Sequence, residues 1–169
     1  ETDTTVSEDE AREIHTVLSA VAEDEARTAQ ICQDVHDAVA AGRTCLVLTQ
    51  RTAHIDALVA GLAGMGTPAL VLRGGLGKKA RQAVADAIAS RPPDEGIVLV
   101  ATGSYLGEGF DWPELDTLFL AFPIAFKGRV VQYVGRLLRG HEDKLGVQLH
   151  DYVDVEIPVL NRMHTKRIP

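Results

Sequence analysis

A chain of 169 residues is one domain by length, and its 46% apolar content argues for a packed core rather than disorder. The net charge of −7 excludes a protein that coats nucleic acid through a generally basic surface. Apolar runs of a few residues fall far short of a membrane span, and Cys32 and Cys45 have no CxxC spacing, so reduced thiols in a cytoplasmic protein are expected.

The first residues, from Glu1, are acidic and carry no leader pattern, which suggests a piece of a longer protein. Ser7 followed by Glu10 has the form of a capping box, and Ile14, Val17, Leu18 and Val21 then recur at helical spacing. A second helix is predicted from Asp24, with Ile31, Val35, Ala38 and Val39 on its apolar face and a stop at Gly42. Residues 1–42 are therefore expected to be an N-terminal helical extension packed on a domain of residues 43–169. Cys45-Leu46-Val47-Leu48 reads as a strand buried on both faces of a parallel sheet. Ile55, Leu58, Val59 and Leu62 mark a helix that Gly64 and Gly66 end.

Ala69 to Leu72 is the next predicted strand, and Ala80 to Ala89 a helix with Val84 and Ile88 inward. Arg91-Pro92-Pro93-Asp94 is a loop, because two prolines remove donors and bias the preceding residue away from helix. Further strands are expected at Ile97–Ala101, Thr117–Ala121 and Val147–Val153. A helix lies between the last two, and another is opened by Pro158 with Val159, Leu160 and Met163 available to pack. This alternation predicts an α/β fold with a doubly wound, mostly parallel sheet flanked by helices. Ligands of such folds collect at the carboxyl ends of the strands, and Thr49, Arg73 and Thr102 all follow strand runs.

Two segments carry chemistry. In Gln132-Tyr133-Val134-Gly135-Arg136-Leu137-Leu138-Arg139 the arginines stand three apart, on one face of a helix, with Gln132 one turn back. A guanidinium fork suits bidentate contact with phosphate and stays charged at any working pH. Some thirty residues earlier, Thr102 closes an apolar run, and a loop with Gly103, Gly107, Gly109 and Asp111 follows. Its glycines allow backbone amides close to phosphate oxygens, and the threonine hydroxyl can contact the same backbone.

In this order and spacing the two segments resemble motifs V and VI of the superfamily 2 helicases and translocases. The QxxGRxxR form is more similar to restriction-enzyme and repair-type DNA translocases than to DEAD-box RNA proteins. The run Tyr152-Val153-Asp154-Val155, with Pro158-Val159-Leu160 and Met163, also resembles bacterial helicases of the restriction-like kind. The resemblance spans about residues 43 to 167. It implies the second, C-terminal RecA-like domain of a DEAD/DEAH-type motor, working against an N-terminal RecA-like domain that holds ATP and Mg²⁺.

On that resemblance Arg136 and Arg139 are expected to be arginine fingers, while Gln132, Gly109 and Asp111 belong to the ATP side of the cleft. Thr102 is expected to touch the tracked nucleic-acid strand, although Gly103 stands where the family usually has a small residue or aspartate. Thr49-Gln50-Arg51 resembles motif IV, and a helix N-terminus there favours an anion in any case; a plain cap by Thr49 with Arg51 in solvent accounts for it equally well. Gly74 and Gly75, with Gly77, Lys78 and Lys79, form a second candidate phosphate loop without the GxxxxGK(S/T) spacing of a nucleotide P-loop. Trp112 is expected to pack rather than stack a base. His141-Glu142-Asp143 reads as a surface turn, and no metal site is expected.

Neither a Walker A sequence nor an acidic DEAD-type box occurs, so this segment alone should not hydrolyse ATP. The expected function is the C-terminal motor domain of an ATP-dependent helicase or translocase, monomeric as a fragment and acting on DNA rather than RNA. Two other readings remain at this point: a non-catalytic interaction domain with a degenerate helicase fold, and half of a nucleotide-sugar glycosyltransferase.

Overall fold

The computed structural model describes residues 8–92, 94–103, 112–123, 132, 135 and 146–167. Helices α1 (Glu8–Glu23) and α2 (Glu25–Ala40) come first. Asp24 separates them and caps α2, its carboxylate accepting from the Arg27 amide at 2.9 Å. Then follow β1 (Thr44–Thr49), α3 (Thr52–Gly64), β2 (Leu70–Leu72), α4 (Lys78–Ser90), β3 (Ile97–Thr102), β4 (Thr117–Leu120), β5 (Gln148–Asp151) and α5 (Pro158–Arg167).

The five strands form one sheet in the order β2-β3-β1-β4-β5, with every pairing parallel. The expectation of a doubly wound parallel sheet with N-terminal helices is met. β5 is shorter than its apolar run suggested, and α4 starts two residues earlier than predicted, because the Lys78-Lys79 pair extends its first turn.

β1 is central and buried along its whole length, which is why its sequence is a continuous apolar run rather than an alternation. Successive side chains still take opposite faces. Cys45 and Val47 join Ile31, Val35, Ile55, Leu58 and Leu62 under α2 and α3. Leu46 and Leu48 join Leu72, Leu99, Leu118 and Trp112 on the face that α4 partly covers. Trp112 is a packing residue, as expected.

The chain leaves β1 toward one edge of the sheet and later crosses back from β3 to β4 on the other side of β1. That reversal places a topological switch at the carboxyl end of β1. At the opposite end α2 meets the start of β3 so closely that a Cβ on Gly96 would lie 1.9 Å from the Val39 carbonyl oxygen, so only glycine fits. α2 is thus part of the core: Ile31 and Val35 are fully buried. Among the described residues, no helix is long and apolar enough to cross a membrane.

Candidate nucleic-acid and nucleotide edge

Parallel pairing puts the carboxyl ends of β1, β2 and β3, and the first turns of α3 and α4, at one edge. Thr49 and Thr102 are register partners at the ends of β1 and β3. One residue on, the Gly103 amide donates to the Thr49 carbonyl at 3.1 Å, so the loop after β3 starts against the end of β1. The loop after β2 is held to the same edge by Arg73, whose guanidinium bonds Asp56 near the start of α3 at 2.9 Å. Thr102 at the end of β3 and Arg51, Gly74 and Gly75 on the two adjacent loops therefore share one edge, and the structure brings together what the sequence placed at separate strand ends.

The Thr49 hydroxyl is not the helix cap. Arg51 occupies the N-cap position of α3 without a side-chain cap bond, and its amide lies 3.4 Å from the Thr49 hydroxyl. The closer partner of that hydroxyl is Nδ1 of His54, at 2.9 Å. Arg51 is half-buried and leaves the amino end of α3 open to an anion.

α4 likewise begins at Gly77 with no side-chain cap. Gly74 and Gly75 are exposed, a Cβ on either would meet nothing, and Gly75 has φ +83°, a conformation that glycine alone takes readily. A backbone this open admits the close approach of a phosphate. Lys78, Lys79 and Arg81 are exposed beside it, a local positive field in a chain whose net charge is negative.

Gln132 and Gly135 are both helical and both exposed. Arg136, Arg139, Gly109 and Asp111 lie outside the described residues. Among the described residues, no group of three or more His, Cys, Asp or Glu is placed to hold a metal ion.

Sequence reasoning missed His54. It is fully buried at the first turn of α3, and burial, with the positive charge of Arg27 as a smaller cause, pushes its imidazole down to about 4. Its one signal is position: His54 stands four residues before Leu58 on the stripe that also holds Leu62, where an apolar residue is expected. An open groove of about 540 Å³, lined by Val39, Thr67, Ala87, Arg91 and Ile97 among others, lies at the opposite edge of the sheet and contains none of the predicted site residues.

No protein-family model and no curated protein matches the chain. Solved structures do. Phage T4 UvsW superposes with a TM-score of 0.73 at 17% identity, over 97% of this chain and 34% of that one. The C-terminal part of the Fun30 ATPase domain gives 0.64 at 16% identity, over 78% of this chain and 41% of its own. Domain 2 of the DEAD-box helicase Mss116p, solved bound to an RNA duplex, gives 0.61 at 15% identity, over 85% and 57% respectively. The chain spans less than two thirds of each of these three. With five parallel strands and flanking helices, the chain has the RecA-like α/β fold that these neighbours share.

Proposed function

We propose that this chain is the second motor domain of an ATP-dependent helicase or translocase, of the restriction-like bacterial kind, acting on DNA. In this reading residues 1–42 are the helical entry to the domain and residues 43–169 the motor fold itself. Thr102, Arg51, Gly74 and Gly75 meet the strand backbone. Gln132, Gly109, Asp111, Arg136 and Arg139 face a nucleotide held by a preceding domain.

The observation that carries the proposal is the convergence of the loops after β1, β2 and β3 at one edge. There two helix starts lack side-chain caps and Gly74 and Gly75 stand open. ATP with Mg²⁺ supplies the phosphoryl group whose transfer powers the motor. This chain's part is to place guanidinium charge where negative charge develops, an effect that can raise the rate by several orders of magnitude. The exposed face of Gln132 is compatible with that role. Closure against the nucleotide domain then moves the Thr102 edge along the strand.

The test is ATP turnover by the longer protein with and without single-stranded DNA or RNA, beside strand binding by this chain alone. A motor half predicts weak binding alone, strong DNA-stimulated turnover when whole, and weaker stimulation by RNA. Turnover indifferent to nucleic acid would overturn the proposal, and equal stimulation by RNA would overturn the choice of DNA.

A further inference from the structure

We infer that His54 is a positioning residue for the strand-facing edge, holding the end of β1, through Thr49, against the end of β3 at Thr102 and Gly103. The inference rests on the reading of Thr102 as strand-facing.

From one buried position His54 meets the ends of β1 and β4, and through Thr49 it is linked to the end of β3. Its Nδ1 is 2.9 Å from the Thr49 hydroxyl at the end of β1. The Thr49 carbonyl in turn accepts from the Gly103 amide at the end of β3. The imidazole ring lies 6.4 Å from the ring of Phe122, which stands just past β4, at an interplanar angle of 54°. The side chain therefore sits at the topological switch, between the end of β3 at Thr102 and Phe122 just past β4.

Packing alone does not explain an imidazole here. Thr49, His54 and Phe122 are all buried, and among the described residues Nε2 of His54 has no hydrogen-bond partner. A buried polar atom without a partner costs about 1–3 kcal/mol, which a leucine in the same stripe avoids. What leucine cannot supply is the bond that fixes the Thr49 rotamer. Because burial keeps the ring neutral, that bond is present at every working pH and adds no charge beneath a phosphate-facing surface. Partners that lock the rotamers beneath a site are what hold its geometry within a fraction of an ångström.

Three variants separate positioning from plain packing. T49V keeps the shape of the side chain and removes only the hydroxyl; H54L keeps apolar volume and removes the bond; H54N offers an amide near the place of Nδ1. Hydrogen exchange of this chain should show the Gly103 amide faster by about tenfold in T49V and H54L. The Leu99 and Val100 amides, in the middle of β3, should be unchanged, and H54N should stay near the parent. In the longer protein the ratio of DNA-stimulated to basal turnover should fall about tenfold in T49V and H54L and recover in H54N.

Unchanged Gly103 exchange in folded T49V and H54L overturns the inference, as does uniform acceleration along β3. So does the expected exchange pattern with an unaltered turnover ratio. If H54L does not fold, T49V decides alone. If the unaltered longer protein shows no DNA stimulation at all, the proposed function fails, and the exchange pattern still decides whether His54 positions this edge.

Discussion

The guanidinium of Arg27 in α2 grips the carboxylate of Asp154, beyond β5, with Nη1 lying 2.9 and 3.1 Å from its two oxygens. Its other terminal nitrogen donates to the Tyr152 carbonyl at 3.1 Å, and the Tyr152 hydroxyl returns a bond to Asp34 of α2 at 2.7 Å. Burial first, and then the bond to Asp34, raises the Tyr152 phenol well above its ordinary range, so it stays a donor at working pH. Helix α2 and the segment that follows the last strand are thereby clamped together.

Removing one side of that clamp should be expensive. The Arg27 side chain is only 8% exposed and that of Asp154 is 24% exposed. Asp154→Ala leaves the guanidinium without its counter-charge, and a loss of about 2–3 kcal/mol is expected, below the range for a fully buried pair because Asp154 reaches solvent. Thermal denaturation should show a melting temperature lower by roughly 5–10 °C. A change under 1 °C would mean that the clamp contributes nothing.

Stability should also fall in mild acid because of His54. Its folded value of about 4 lies below its ordinary 6.5, so between those values the unfolded chain binds a proton that the folded chain does not. The contribution is present in full above pH 6.5 and is lost as pH falls toward 4, on the order of 3 kcal/mol in all. Denaturant unfolding at pH 7.5 and pH 4.5 should show the loss, and H54L should flatten it. An imidazole seen by NMR to titrate near 6.5 would contradict this account.

Thr102→Ala in the longer protein should reduce nucleic-acid-stimulated turnover more than basal turnover, because the hydroxyl is proposed to touch the strand and not the nucleotide. Steady-state assays with and without single-stranded DNA read the difference. Equal losses in both, with the fold intact, would make Thr102 a structural residue.

If Arg136 and Arg139 are arginine fingers, replacing either by Ala should leave the melting of this chain nearly unchanged, since substitutions at positions without buried partners cost within about 0.5 kcal/mol. In the longer protein the same changes should cut ATP turnover by a large factor through lost transition-state stabilisation. Lysine should rescue poorly, because a point charge cannot reproduce the planar fork. A stable and fully active double variant would remove the arginine-finger mechanism.

This chain by itself should show no Mg²⁺-dependent ATP hydrolysis, since it contains neither a Walker A sequence nor an acidic box. A phosphate-release assay on the purified chain is sufficient, and appreciable turnover would place the catalytic machinery within these residues.

Local pattern determined much of this protein. The unbroken apolar run Cys45 to Leu48 already meant a strand buried on both faces, the spacing of Ile55, Leu58 and Leu62 meant a helix on that sheet, and Thr102 at the close of an apolar run marked the end of another strand. These features repeat over two to four residues, so they are legible without a fold. The strand order, the register that sets Thr49 beside Thr102, the salt bridge that ties Arg73 to Asp56 and the grip of Arg27 on Asp154 were not. Nor was His54, whose type and spacing look like a misplaced core residue until Thr49 is seen against it. Most of these contacts join residues far apart in the chain, and even the Thr49–His54 bond needs the turn between β1 and α3 to fold the two together. Periodicity records which face of its own element a residue takes. Which residue waits on the other side is decided only when the sheet is wound and the loops at its carboxyl end close up.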